Sequence, residues 1–165
     1  MFTLATYTAA HVILSLVGIA SGLVVVSGLL SSRRFEQLTQ VFLSTTVLTS
    51  LTGFGFPFEH VLPSHIVGTL SLAVLALAIF ARYGRHLGGI WRAMYVVSAM
   101  TALYFNCFVL VVQLFLKVPA LKNLAPTQSE APFVVAQLVV LTAFVLLTAA
   151  AAVKFHPQQN RAAAA

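Results

Sequence analysis

Residues 53–69 read GFGFPFEHVLPSHIVGT and separate two long apolar segments of the chain. Pro57 and Pro63 restrict their own φ and disfavour helix in the residues before them, so a helix should end here and the chain should reverse. The stretch also holds one of the three acidic residues and two of the five histidines, namely Glu59, His60 and His65. We therefore predict a turn at one face of a membrane, with any chemical site of the protein beside it.

The composition is that of a membrane protein. Of 165 residues, 60% are hydrophobic and 7% are charged, and the mean hydropathy is +0.99, which lies outside the range of soluble domains. The net charge of +6 comes from basic residues at the ends of apolar segments, a distribution that favours membrane lipid as a partner and argues against nucleic acid. The single cysteine, Cys107, lies inside an apolar segment and excludes an intrachain disulfide or a cysteine-based metal site.

Five apolar segments are predicted to form transmembrane helices, since about 20 apolar residues cross roughly 30 Å of hydrocarbon. We expect an all-α polytopic bundle forming one domain of residues 1–156, with helices at about 8–30, 41–56, 64–81, 91–116 and 131–153. The second segment is rich in serine and threonine, whose hydroxyls bond more favourably to helices than to lipid, and is predicted to be central. The tail, 157–165, has no apolar periodicity and is predicted to be disordered.

The first helix carries small and polar residues on one face. His11, Ser15, Gly18 and Gly22 recur at spacings of four, three and four residues, which places them on the same side of a helix. The two glycines form a GxxxG pair, which allows close backbone approach where lipid supplies no hydrophobic drive for helix association. We favour packing within the chain. The alternative is a homodimer through this helix or association with a larger membrane complex.

The basic residues predict the orientation. With the N-terminus outside and the C-terminus in the cytoplasm, seven basic residues fall on the inner side and two, Lys117 and Lys122, on the outer side, as the positive-inside rule requires. Arg82, Arg85 and Arg92 on the inner side are expected to contact lipid headgroups. The lack of a transit or retention motif, together with the small size, points to a bacterial inner (plasma) membrane.

This orientation gathers polar side chains at one depth in the outer leaflet. One histidine opens the first helix, another opens the third, and two polar residues lie in the turn between the second and third helices. Glutamines lie about one turn inside the fourth and fifth helices, and an asparagine lies deeper. Such groups are costly against lipid and usually face the bundle interior. The candidate ligand-binding residues are His11, Glu59, His60, His65, Asn106, Gln113 and Gln137.

Three interpretations of this layer remain open. In the first, imidazoles and amides bond neighbouring helices, and the protein acts without catalysis through interaction or small-ligand binding. In the second, two histidines on different helices ligate a b-type haem, or the chain is a quinone redox subunit. In the third, Glu59 or Glu130 joins His60 and His65 in a proton- or metal-dependent small transporter. We favour the first, in which no cofactor is expected, and the sequence assigns neither a metal nor a catalytic residue.

Two stretches of the chain carry a resemblance to a known family. TGFGFPFEHVLPSHIVG at 52–68 and ALYFNCFVLVVQLFLKVPALKNLAPTQSEAPF at 102–133 resemble a family of small bacterial integral membrane proteins to which no activity is assigned. The likeness covers nearly the whole chain. It implies that the PSH turn and the APTQSEAPF loop belong together, in agreement with their predicted positions on the outer face.

Overall fold

The computed structural model describes residues 3–56 and 63–156, and the side chains of all of these except 63 and 64. Within these ranges the chain is helical and has no strand. The helices are α1 (Leu4–Leu30), α2 (Glu36–Gly53), α3 (Pro63–Ile79), α4 (Trp91–Lys117), α5 (Pro119–Leu124) and α6 (Ala131–Lys154), and a π-helical turn (Phe80–Gly84) extends α3. The predicted all-α bundle is confirmed for this part of the chain, whereas the predicted tail, 157–165, and most of the turn before α3 lie outside it.

Two helices begin earlier than predicted because their first turns are stabilised locally. The Thr3 hydroxyl accepts a hydrogen bond from the Thr6 backbone N–H at 3.3 Å and caps α1. Glu36 opens α2 five residues ahead of the predicted start, where its negative charge complements the positive end of the helix dipole. The short helix α5 has no counterpart among the predicted elements.

Four helices of the described chain are long and apolar enough to cross a membrane. They are Leu4–Leu30, His65–Gly84, Trp91–Lys117 and Ala131–Lys154. The 18-residue α2 is not among them, because its six hydroxyl residues between 44 and 52 and its first-turn Glu36 lower its hydropathy. The fifth predicted span therefore differs from the other four in composition.

Although it is polar, α2 runs beside α1 for most of its length. Near one end, a Cβ at Gly28 would lie 2.8 Å from the Phe35 ring. Near the other end, the imidazole of His11 is hydrogen-bonded to Thr52. The two helices are thus antiparallel. Seventeen residues separate Phe35 from Thr52, which at 1.5 Å per residue is about 26 Å.

One end of the bundle collects most of the positive charge, and we call it the basic end. The N–H of His156 donates to the Ser32 hydroxyl at 2.8 Å, and the Arg92 guanidinium donates to the Phe155 carbonyl at 2.8 Å. These contacts bring the end of α1, the start of α4 and the end of α6 together. The basic end carries Arg33, Arg34, Arg82, Arg85, Arg92 and Lys154.

The centre of the bundle is α4 rather than α2, since α4 packs against α1, α2, α3 and α6. Its small and apolar side chains fill the core; Tyr95, Val96, Ala102 and Leu103 are at most 1% exposed. The prediction that α2 lies at the centre of the bundle, which was based on its hydroxyl content, is therefore wrong. Alanine and serine on α4 let several helices approach it closely, which hydroxyl content alone does not reveal.

The glycine face of α1 packs inside the chain. A Cβ at Gly18 would lie 3.2 Å from the hydroxyl oxygens of Thr45 and Thr46, and one at Gly22 would lie 2.6 Å from Leu103 Cδ1. Both glycines are buried. The GxxxG pair therefore brings α1 against this chain's own α2 and α4.

Candidate functional site

A cavity of about 80 Å³, with several polar side chains on its wall, lies between α1, α2, α3 and α4, in the half of the bundle away from the basic end. Such a volume holds several water molecules, since one needs roughly 10–15 Å³ by this measure. Each of the four helices contributes side chains spaced about one turn apart, which share a face. The lining residues are His11, Ser15, Thr49, Ser50, Gly53, Phe54, His65, Val67, Gly68, Ser71, Phe105, Asn106 and Val109.

The imidazole of His11 is held by α2. Its Nδ1 lies 2.8 Å from the Thr52 hydroxyl oxygen, and that hydroxyl donates its own proton to the Leu48 carbonyl at 2.7 Å. Because a hydroxyl has one proton, the Thr52 oxygen accepts from Nδ1–H, which leaves Nε2 of the neutral ring as an acceptor. The Tyr7 hydroxyl donates to the Thr52 carbonyl at 2.6 Å. The end of α2 thus sets both the position and the tautomer of His11.

His65 enters the cavity from the first turn of α3. It is half-buried, and its ring lies against Phe54 with 5.6 Å between centroids. Its backbone carbonyl accepts from the Thr69 hydroxyl at 2.9 Å. Both histidines that were predicted to open helices therefore line the same cavity.

Asn106 reaches the cavity from near the middle of α4. Its side chain is buried, at 7% exposure, and its Nδ2 donates to the Thr46 hydroxyl at 3.3 Å. Asn106 thus bonds α4 to α2 and also lines the cavity. The cavity extends from the end of α2 to the middle of the bundle.

Hydroxyls on the cavity wall do not bond the backbone of their own helix, unlike most hydroxyls elsewhere on the helices. Ten of the latter donate to a carbonyl three or four residues earlier on their own helix: Thr8, Ser21, Ser27, Ser44, Thr45, Thr52, Thr69, Ser98, Thr101 and Thr148. Ser50 instead donates across to Ser71 at 3.0 Å. Within the described part of the chain, Ser15, Thr49 and Ser71 donate to nothing. The cavity therefore holds O–H groups that have no acceptor.

Thr49 is the clearest of these groups. Its hydroxyl oxygen is buried and has no hydrogen-bond partner among the described residues. A buried hydroxyl without a partner costs about 1–3 kcal/mol, a penalty that folded proteins usually avoid. A polar molecule in the cavity would remove it.

The predicted glutamines lie elsewhere. Gln113 is exposed on α4 and is not on the cavity wall. Gln137 is half-buried between α6 and α4, where its Nε2 donates to the Phe108 carbonyl at 3.2 Å. The position of a residue along a helix predicted its depth but not the direction in which its side chain points. Glu59 and His60 lie outside the described residues.

Glu130 stabilises the loop before α6. Its carboxylate accepts from the backbone N–H groups of Thr127 and Ser129, both at 3.1 Å, and from the Thr127 hydroxyl at 2.9 Å. Desolvation raises the pKa of this carboxyl, but these hydrogen bonds outweigh it and hold the pKa below the usual value. Glu130 is therefore engaged within its own loop and is not among the residues that line the cavity.

The three arginines predicted to contact lipid headgroups have different surroundings. Arg82 is buried, and its Nη2 lies 2.6 Å from a Glu36 carboxylate oxygen, while its guanidinium lies over the Tyr95 ring. It therefore does not face headgroups, in contrast to the prediction, because a buried guanidinium needs a paired charge. Arg92 bonds the Phe155 carbonyl. Arg85 is exposed and lies over the Trp91 ring.

The described residues form neither a cavity of haem size nor a cluster of metal ligands. Pockets for drug-sized ligands occupy about 300–1,000 Å³, a haem is no smaller, and the cavity between His11 and His65 is about 80 Å³. Within the described ranges, no group of three or more His, Cys, Asp or Glu side chains is arranged to hold a metal ion.

Sequence reasoning missed Thr49, Ser50 and Ser71 as wall residues and interpreted Ser15 as a packing residue. A usable signal was present on α1, because Ser15 lies four residues after His11, close to one turn of a helix. Comparisons with protein-family models, with curated proteins and with solved structures gave no match.

Proposed function

We propose that this protein is an integral membrane protein that binds a small polar ligand in the cavity between α1 and α4 and performs no catalysis. The observation that carries the proposal is a set of wall hydroxyls, those of Ser15, Thr49 and Ser71, whose protons have no acceptor among the described residues. Unpaired polar groups inside a membrane are expensive and usually functional. Membrane lipid is the partner proposed to surround it.

We further propose five transmembrane helices in a bacterial inner membrane, with the N-terminus outside and the C-terminus in the cytoplasm. Two observations support α2 as the fifth span: it runs beside α1 for about 26 Å, and Glu36 at its start pairs with Arg82 at the basic end. The concentration of arginine at the basic end supports a cytoplasmic position for that end. The cavity then opens in the outer leaflet.

Cysteine accessibility tests this function. In a Cys107→Ala background, Ser15→Cys places a thiol on the cavity wall and Leu16→Cys places one on the neighbouring surface, where Leu16 is 48% exposed. Silver ion, a thiol-reactive ion small enough for the cavity, applied outside intact cells in chloride-free medium should react with Cys at 15, because small polar solutes enter the cavity. It should not modify Cys at 16, because hydrocarbon excludes the reagent.

The two cysteines lie on one helix about 1.5 Å apart in depth, so depth alone cannot separate them. Absence of modification at both positions would contradict a cavity that admits polar ligands from outside. Equal modification at both would contradict a lipid-facing surface at Leu16.

A further inference from the structure

The ligand class can be narrowed from the chemistry of the cavity wall, an inference that rests on the function proposed above. Three hydroxyls on the wall, those of Ser15, Thr49 and Ser71, have protons that no described residue accepts, although Ser71 itself accepts from Ser50 and His11 Nε2 is an acceptor. A ligand that satisfies them must present acceptors on several sides. Acceptor atoms are plentiful on anions and on water, and a charged acceptor forms hydrogen bonds about twice as strong as those of a neutral one.

No acidic side chain is on the described wall. The chain has three carboxylates, of which Glu36 lies at the basic end bound to Arg82, and Glu130 is bound within its own loop; the third, Glu59, lies outside the described residues. Cations in proteins are usually held by carboxylates and other oxygen ligands. The described wall therefore favours a negative ligand over a positive one.

Nearby charge acts in the same direction. Lys117, at the end of α4, is close enough to His11 for its positive charge to act on the imidazole. The positive charge of Lys117 therefore attracts a negative ion toward this side of the cavity.

We propose that the cavity binds a small monovalent anion of the size of chloride or formate. The hydroxyls of Ser15, Thr49 and Ser71 replace part of the hydration shell of the ion, and the volume of about 80 Å³ limits the ligand to a few heavy atoms. Larger organic anions are excluded by size.

Thermal unfolding of the detergent-purified protein tests the anion. In sodium chloride, the Tm should exceed the Tm in sodium gluconate of equal ionic strength by several degrees, and the increase should saturate with chloride concentration, because a ligand that binds only the folded state stabilises it. Gluconate is too large for the cavity, so it serves as the reference anion.

Two variants and their matched controls locate the effect. Thr49→Val keeps the side-chain shape but removes the unpartnered hydroxyl; its Tm in gluconate should equal or exceed that of the parent, and its chloride increment should fall by at least half. Thr45→Val on the same helix, where the hydroxyl bonds its own backbone, should keep the full increment. On α1, Ser15→Ala should likewise lose at least half of the chloride increment. Ser21→Ala, where the hydroxyl bonds its own backbone, should keep the full increment.

The outcomes separate the ligand class from the function. If the Tm changes with the cation when sodium, lithium and choline chlorides are compared, the proposal that the ligand is an anion is wrong. An equal Tm in chloride and gluconate would also overturn it. In either case, reaction of the thiol at position 15 would still support a cavity that admits polar solutes. Failure of that thiol to react would contradict the proposed function as well.

Discussion

Thr52 links two helices through a single hydroxyl. It donates to the Leu48 carbonyl and accepts from His11 Nδ1, so both capacities of the oxygen are used. The Tyr7 hydroxyl bonds the carbonyl of the same residue, and the His11 ring stands edge-on to Phe56 with 5.1 Å between centroids. One side of the His11 ring is therefore held by hydrogen bonds and aromatic packing near the end of α2, and His11 also lines the cavity.

We expect Thr52→Val to destabilise the protein, because His11 Nδ1–H loses its acceptor while the side-chain shape is kept. Interhelical hydrogen bonds in membranes average about 0.6 kcal/mol, and a donor left unpaired costs about 1–3 kcal/mol. Since His11 is only half-buried, an effect near 1 kcal/mol is expected in the free energy of unfolding, measured by denaturant titration in detergent.

Thr101→Val is the control for Thr52→Val, because the Thr101 hydroxyl bonds only its own helix, at the Val97 carbonyl. It should change stability by a few tenths of that amount. Equal effects of the two substitutions would show that the bond to His11 contributes nothing measurable.

At the scale of elements, the contact of α1 with α2 and α4 depends on glycine. A Cβ at Gly22 would lie 2.9 Å from Phe42 Cδ2, and Phe42 is 1% exposed, so its ring has little room to move. At Gly18 the nearest atoms are hydroxyl oxygens at 3.2 Å, which can shift slightly. Within the GxxxG motif, Gly22 therefore has no room for a Cβ, whereas Gly18 can accept one after a small shift of its neighbours.

Gly22→Ala should destabilise the bundle by about 1–3 kcal/mol, the usual cost of overpacking a filled core. Gly18→Ala should cost less, and both can be measured as Tm in detergent. Gly53→Ala is the matched control, because its Cβ would lie 3.8 Å from His11 Cε1, an ordinary contact; it should leave the Tm unchanged or slightly raised, since alanine favours helix. The reverse order of Tm values would contradict the close approach of α1 to α4.

The whole molecule has a polarity that comes from its charges and its antiparallel helices. Arg33, Arg82 and Arg92 lie at the ends of three different helices, yet the fold brings all three to the basic end. Lys117 lies at the opposite end, with the start of α1. The arrangement predicted from charge alone and the antiparallel packing of the helices are thus consistent with each other.

Reporter fusions test both the orientation and the number of spans. A reporter fused after Arg161 should be cytoplasmic, one inserted between Lys122 and Thr127 should be external, and one at the N-terminus should be external, because five spans place the two termini on opposite sides. Termini on the same side would show that α2 does not cross the membrane. A cytoplasmic reporter between Lys122 and Thr127 would place the cavity in the inner leaflet instead.

Helix positions were predictable because each apolar segment ends at charged, proline or glycine residues. α4 and α6 begin at the predicted residues and end within one residue of the predictions, since Lys117 and Lys154 end the apolar segments. The candidate site was predicted in part: His11, His65 and Asn106 line one cavity, whereas Gln113 and Gln137 do not. Counting residues along a helix predicts the depth of a side chain in the membrane. It does not predict the direction of that side chain, so it could not separate the wall residues from the two glutamines.

The sequence by itself determined that the chain is a helical membrane protein, where the long apolar helices lie and which ends carry positive charge. Only the tertiary structure decided which face of each helix turns inward. The physical reason is that a helix apolar on every side has no hydrophobic stripe to specify its rotation, so close packing at Gly18 and Gly22 sets it instead. That rotation decides that Ser15 and Ser71 face a cavity while Leu16 faces outward.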